Sequence, residues 1–128
     1  MKRQFKPLGQ LEQDIMNVVW QRGRVTVRAV FVELAKQRDI AYTTVMTTMD
    51  RLAKKDVLKC SKLGKAYEYQ PVQTEQDLCL CTTRAMIDML ILRYGDLAIA
   101  QFVDTVDHID AKKFTELKRL VNAHHSRA

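Results

Sequence analysis

A mainly α fold with one small β-hairpin is predicted by three observations. Apolar residues recur at a period near 3.6 over most of the 128 residues. Only the stretch from Val57 to Gln70 alternates with a period of two, around Leu63-Gly64-Lys65. The segments after Pro71, about Thr74 to Tyr94, Leu97 to Val106 and Ala111 to His124, read as helices as well.

The elements follow in order. Leu11, Ile15, Val18 and Val19 form the apolar stripe of a first helix over about Gln10 to Gln21, which Gly23 ends. Arg24-Val25-Thr26 is a short extended piece whose threonine can cap the next helix, about Val27 to Arg38, with Val27, Val30, Phe31 and Leu34 turned inward. A third helix covers residues 42–55. Val57 to Lys62 and Ala66 to Gln70 are two short strands joined at Gly64, and Pro71 closes the unit. Tyr67 and Tyr69 alternate onto one face with Leu58 and Cys60, and both tyrosines are expected to pack. Helix, short strand, helix, helix, hairpin is the order of a winged helix-turn-helix, three helices plus a small β-wing, here residues 1–71.

Residues 72–128 read as three further helices, about Thr74 to Tyr94, Leu97 to Val106 and Ala111 to His124. Thr74, Asp96 and Asp110 are the expected N-caps and Gly95 a stop. Ala85 to Leu92 is apolar on nearly every side, more than one helix needs against two short neighbours. A partner chain would supply the missing cover, most commonly in a two-fold homodimer.

The charge is unevenly spread. Residues 1–71 hold 14 Lys and Arg against 7 Asp and Glu, a balance of +7, while residues 72–128 hold 7 against 8, a balance of −1, together the net +6. The first part therefore wants an anionic partner, nucleic acid or an acidic membrane surface. MKRQFKPLGQ is basic but leads into an acidic amphipathic stretch rather than the apolar core of a signal peptide, and the run Met89 to Leu92 is too short to span a bilayer. A cytoplasmic protein is expected, and three cysteines without a secreted-scaffold pattern fit a reducing compartment.

The third helix decides between the anionic partners. Four threonines stand among the eight residues 41–48, although β-branched threonine is a mediocre helix former. With Thr43 at zero and ~100° per residue, Thr47 falls near ~40°, Arg51 near ~80°, Thr44 near ~100° and Thr48 near ~140°, with Lys54 and Lys55 near ~20° and ~120°. Tyr42, Val45, Met46, Met49, Leu52 and Ala53 fill the opposite arc, from ~180° to ~300°. Asp50 borders the two and can pair with Lys54. Short hydroxyl-bearing side chains let a helix sit deep in a DNA major groove and touch base edges, and in a helix-turn-helix the N-terminal residues of this helix meet the bases. Thr43, Thr44 and Thr47 are the expected base readers. Thr48, Arg51, Lys54 and Lys55 on the helix, Arg28 at the start of the second helix, and Lys59, Lys62 and Lys65 along the wing are the expected contacts to the DNA backbone. A solvated helix face is the plainer reading, but it usually carries Glu, Lys and Gln.

LGQLEQDIMNVVW, AYTTVMTTMDRLAKKDVL and GKAYEYQP, in that order and spacing, resemble the penicillinase repressor family of bacterial transcriptional regulators, the BlaI/MecI type with CopY-type copper repressors as relatives. The resemblance spans about residues 8–125. It implies a homodimeric repressor in which each N-terminal winged helix reads half of a palindromic double-stranded operator and the three-helix C-terminal arm interlocks with its twin. The arm's apolar residues Met86, Met89, Leu90, Phe102, Phe114, Leu117 and Val121 would make that dimer. In the β-lactam-responsive members a membrane-bound sensor protease ends repression by causing cleavage in this arm. By position that bond maps to Gln101-Phe102, with glutamine where the staphylococcal pattern has asparagine. Ala41 stands where many relatives have a capping serine, and Asp56 where they often have glycine.

The copper-responsive alternative in the family turns on Cys79-Leu-Cys81. Two residues apart on a helix point ~200° from one another, so the pair cannot grip one ion, and a tetrathiolate site needs more than three cysteines. The cysteines are expected to be buried small hydrophobes, and His108, His124 and His125 solvated rather than ligands. No metal, no cofactor and no small-molecule substrate is expected, and no enzyme signature is present in the sequence. A basic winged-helix module that binds DNA without preference, or docks an acidic protein, is the remaining alternative.

Overall fold

The computed structural model describes residues 6–127, without the side chains of Leu63 and of residues 124–127, so the expectation for His124 and His125 lies outside the described residues. The elements are α1 (Gln10–Arg22), α2 (Val27–Ala35), α3 (Tyr42–Lys54), β1 (Leu58–Leu63), β2 (Ala66–Pro71), α4 (Glu75–Tyr94), α5 (Asp96–Asp107) and α6 (Ala111–Arg127). They form two compact units that divide after Met86.

The first unit is the predicted winged helix. Its core is Ile15, Met16, Val18 and Val19 of α1, Val30 and Leu34 of α2, Val45, Met49 and Leu52 of α3, and Leu58 and Tyr69 of the hairpin. Strands β1 and β2 pair antiparallel from Leu58–Pro71 to Leu63–Ala66, leaving Gly64 and Lys65 as a two-residue turn with Gly64 at φ 64°. The expected extended piece joins them: Val25 and Tyr69 exchange backbone hydrogen bonds of 2.9 and 2.7 Å. Leu78 of α4 also lies in this core and the Trp20 indole donates to the Gln73 carbonyl at 3.0 Å, so the unit continues past Pro71 through the first turns of α4.

Helix ends are set by local chemistry. Glu12 accepts the Gly9 N–H at 3.0 Å, closing a capping box on α1, and Thr26 accepts the Ala29 N–H at 3.1 Å to start α2. Helix α2 stops at Ala35, short of Arg38, because its apolar stripe ends with Leu34. Ala41 offers no side-chain cap to α3. Asp56 takes the left-handed position at φ 63°, with Asp56 N–H on the Ala53 carbonyl and Val57 N–H on that of Leu52, a complete Schellman ending without glycine.

In the second unit, the rest of α4 is followed by α5 and α6. Thr74, still in the first unit, caps α4 and Asp110 caps α6 as expected, accepting the N–H groups of Asp77 at 3.1 Å and Lys113 at 2.9 Å. Asp96 does not: the cap of α5 is Gly95, at φ 59°, and Asp96 is the first residue inside the helix, where its charge still suits the dipole. Among the described residues none beyond Leu78 is buried. No described helix is long and apolar enough to cross a membrane.

Candidate nucleic-acid interface

Helix α3 buries Val45, Met49 and Leu52 completely and turns Thr43, Thr44 and Thr47 outward, as its sequence predicts. The outward arc is nevertheless rotated from the expected one. Thr48, expected at a phosphate, is 8% exposed, and its hydroxyl donates to the Thr44 carbonyl at 2.8 Å. Burial costs it little because the helix supplies its own acceptor. Lys55 is drawn back against α1, its ammonium 3.0 Å from Glu12 Oε2. On the other flank Met46 and Tyr42, expected inside, are 43% and 41% exposed. The reason is geometric. Centred on Val45, Met49 and Leu52, the wheel has its outward pole near ~30°, which leaves Thr48 beyond the equator and Met46 just outside the core, with Asp50 well inside the exposed arc. Tyr42 escapes burial as the first residue of the helix, with its ring edge-to-face on Phe31 at 5.6 Å.

Two ion pairs fix α1 to the ends of the helix-turn-helix: Arg38 with Asp14 ahead of α3, and Lys55 with Glu12 at its end. Burial pushes the Glu12 carboxyl up, but the Gly9 N–H, the Lys55 ammonium and the Arg51 charge outweigh it and hold its pKa below the ordinary 4.5. Such a lowered carboxylate stabilises the fold above its unfolded pKa, and the gain disappears as pH falls through the folded value. Glu12→Gln is therefore expected to lower stability by on the order of 1 kcal/mol near neutral pH. The gap from the parent should close as denaturation is repeated below pH ~4.5, the ordinary value from which the carboxyl is lowered.

The wing continues the surface. Lys59, Lys62 and Lys65 are exposed, as are Arg28 at the start of α2 and Arg51 and Lys54 on α3. Lys54 pairs with Asp50 at 3.1 Å, the expected i, i+4 bridge. The hairpin face shared by Leu58, Cys60, Tyr67 and Tyr69 is buried only at its base: Tyr69 is 7% exposed but Tyr67 57%, because it stands near the tip, beyond the helices. There Lys62 lies over its ring at 5.5 Å. Burial, then the neighbouring Cys60, raises the Tyr69 phenol to about 12, so it stays neutral. Between α2, α3 and the hairpin lies an open cleft of about 860 Å³ where Arg28, Met46, Thr47, Lys65 and Tyr67 meet.

The face that results is hydroxyls at the N-terminal end of a helix, flanked by cations on three elements. A family model, the penicillinase repressor, matches residues 8–123. The chain belongs to the penicillinase repressor family. A transcriptional regulator BlaI of Mycobacterium tuberculosis is 37% identical over 111 residues, covering 81% of this chain and 78% of that protein. A penicillinase repressor of Staphylococcus aureus is 26% identical, with 87% of each chain covered. Two solved structures cover 59% of this chain and 92% of their own at 28% identity. They are the solution structure of the DNA binding domain of the repressor BlaI, at a TM-score of 0.52, and that of the Bacillus licheniformis BlaI monomeric form in complex with the blaP half-operator, at 0.50. Like other members of the penicillinase repressor family, this is a transcriptional regulator, and its N-terminal unit is a winged helix.

In the C-terminal unit of this family member, Met89, Leu90, Phe102, Phe114 and Val121 are exposed, whereas Leu117 is half-buried. Met86 is half-buried too, and it lies in the first unit beside Leu8 and Trp20. Leu92, Leu97 and Leu120, absent from the expected dimer set, are 87%, 77% and 65% exposed. Ile87, Leu90, Ile91, Ile99 and Phe102 line an open apolar groove of about 250 Å³ between α4 and α5. Gln101 and Phe102 stand in the middle of α5, where the Thr105 hydroxyl donates to the Gln101 carbonyl at 2.8 Å. All three cysteines are exposed rather than buried: Leu78 takes the core position of that part of α4, which leaves Cys79 and Cys81 on its flanks, and Cys60 opens onto the wing cleft.

Proposed function

We propose that this chain is a homodimeric transcriptional repressor that holds palindromic operator DNA in two winged helices, the N-terminal unit of each copy, and dimerises through the helices of the C-terminal unit. The observation that carries this reading is the outward face of α3, where Thr43, Thr44 and Thr47 stand exposed at the N-terminal end with Arg51 and Lys54 behind them. The threonines read base edges in the major groove, while Arg28, Arg51, Lys54 and the wing lysines grip phosphates. Thr48 drops out of that set because it is buried with its hydroxyl on the Thr44 carbonyl, and Lys55 because its ammonium is held by Glu12 on α1, whereas the Lys54–Asp50 pair joins two exposed side chains.

Dimerisation is supported by the C-terminal unit's lack of any buried described side chain, since an apolar surface on this scale calls for a cover. A second copy is the simplest one, and it doubles the half-sites held at once. Repression ends, in this reading, when a membrane sensor protease causes the Gln101–Phe102 bond to be cut. That bond is exposed but helical, so α5 must unwind locally before a protease can hold it extended, and the cut splits the helix that lines the apolar groove.

Selection of bound sequences from a pool of random duplexes by the full chain tests the reading. A dyad with half-sites about one helical turn, roughly 34–36 Å, apart is expected, and recovery of no preferred sequence would refute it. Replacing Lys62 and Lys65 by alanine should weaken all duplexes alike. For each lost phosphate contact the slope of log affinity against log salt should become shallower by about 0.9, with the preferred sequence unchanged.

A further inference from the structure

Met46 is, with Tyr42, one of two apolar residues of α3 that its sequence assigns to the core and the structure leaves in solvent. Met16 and Met49 are fully buried, but Met46 is 43% exposed. It occupies the i, i+4 row Tyr42–Met46–Asp50, beside the row Thr43–Thr47–Arg51, and it lines the wing cleft together with Thr47 and Tyr67. Tyr42, Met46 and Tyr67 thus form an exposed apolar strip next to the proposed base readers. A lone exposed apolar residue calls for no explanation; one set beside a row of groove-facing hydroxyls does.

The chemistry of a base-pair edge supplies the counterpart. In the major groove the projecting apolar group that a base presents is the C5-methyl of thymine. Methionine, unbranched and polarizable, can follow such a projection without a fixed rotamer. Asp50, next on the row, would repel a phosphate, but Lys54 neutralises it at 3.1 Å, so the row stays compatible with DNA.

We propose that Met46 is a specificity-determining residue, its thioether side chain packing on a thymine methyl at the wing side of the positions read by the threonines. This rests on the DNA-binding reading above. It assigns to each half-site a thymine that the threonine hydroxyls alone do not demand.

The test uses the full chain and a synthetic duplex of the sequence recovered by selection, with each thymine replaced in turn by 2′-deoxyuridine, which removes only the methyl. At one position per half-site the parent protein is expected to lose roughly fourfold in affinity, the worth of one buried methyl group. Met46→Ala should bind the unmodified duplex less tightly and be indifferent to deoxyuridine at that position. Thr47→Ser, which removes the threonine methyl and keeps the hydroxyl, should still register it. Deoxyuridine penalties that are absent throughout, that persist undiminished in Met46→Ala, or that vanish in Thr47→Ser instead would overturn the assignment while leaving the operator reading intact. Failure of selection to enrich any sequence would take down the parent reading and this inference together.

Discussion

In the proposed homodimer, Phe102→Asp is expected to give a monomer and to lower affinity for a dyad operator by a factor of about 10² to 10⁴. Phe102 is 63% exposed and lies with Leu90 and Ile91 on the apolar groove of the C-terminal unit. A carboxylate there meets water in the single chain and costs that chain little. Across an apolar dimer contact the same charge would be stripped of water without a partner. Sedimentation would show the loss of dimer, and binding to an isolated half-site should be nearly unchanged, since the winged-helix core lies entirely at or before Leu78. A variant that remained dimeric would move the interface elsewhere.

Joint replacement of Thr44 and Thr47 by alanine should erase most of the preference for operator over random DNA, by about a hundredfold or more, given ~1–3 kcal/mol per disrupted base-pair position in each half-site. Affinity for random DNA and its salt dependence should stay near the parent's, because the lysines and arginines that meet phosphates are untouched. Neither threonine side chain is buried in the core, and alanine is the better helix former, so the melting temperature should hold or rise. The Thr44 carbonyl that holds the Thr48 hydroxyl is backbone and survives the change. The opposite pattern, lost affinity with discrimination intact, would make these threonines general contacts.

The sequence was most legible where one residue type had one physical use. Thr26 could serve only as a cap, Gly64 only as a tight turn, and the Val45–Met49–Leu52 trio only as core; the structure places each of them so. It was least legible at the margins of the amphipathic helix. Threonine carries a hydroxyl its own helix can satisfy and a methyl the core accepts, so Thr48 could face either way, and its contact with the Thr44 carbonyl settles it inside. Lys55 needed knowledge of where Glu12 on α1 would come to rest, a separation no periodicity reveals. Tyr67 and Tyr69 share a face and a residue type, and only the overhang of the wing tip separates one from the other. A helical wheel oriented by the threonines places Met46 inside, whereas one oriented by the fully buried trio places this methionine at the rim.

In the proposed complex, the face of α3 between Thr43 and Thr47 enters the DNA. Titration of the isotope-labelled full chain with a selected operator duplex, followed by amide and methyl chemical shifts, tests this placement. The largest changes are predicted at Thr43, Thr44, Met46 and Thr47, with smaller ones at Arg28 and at Gly64 and Lys65 of the wing turn. Saturable binding that left the α3 resonances in place, with the shifts gathered in the C-terminal unit instead, would contradict it.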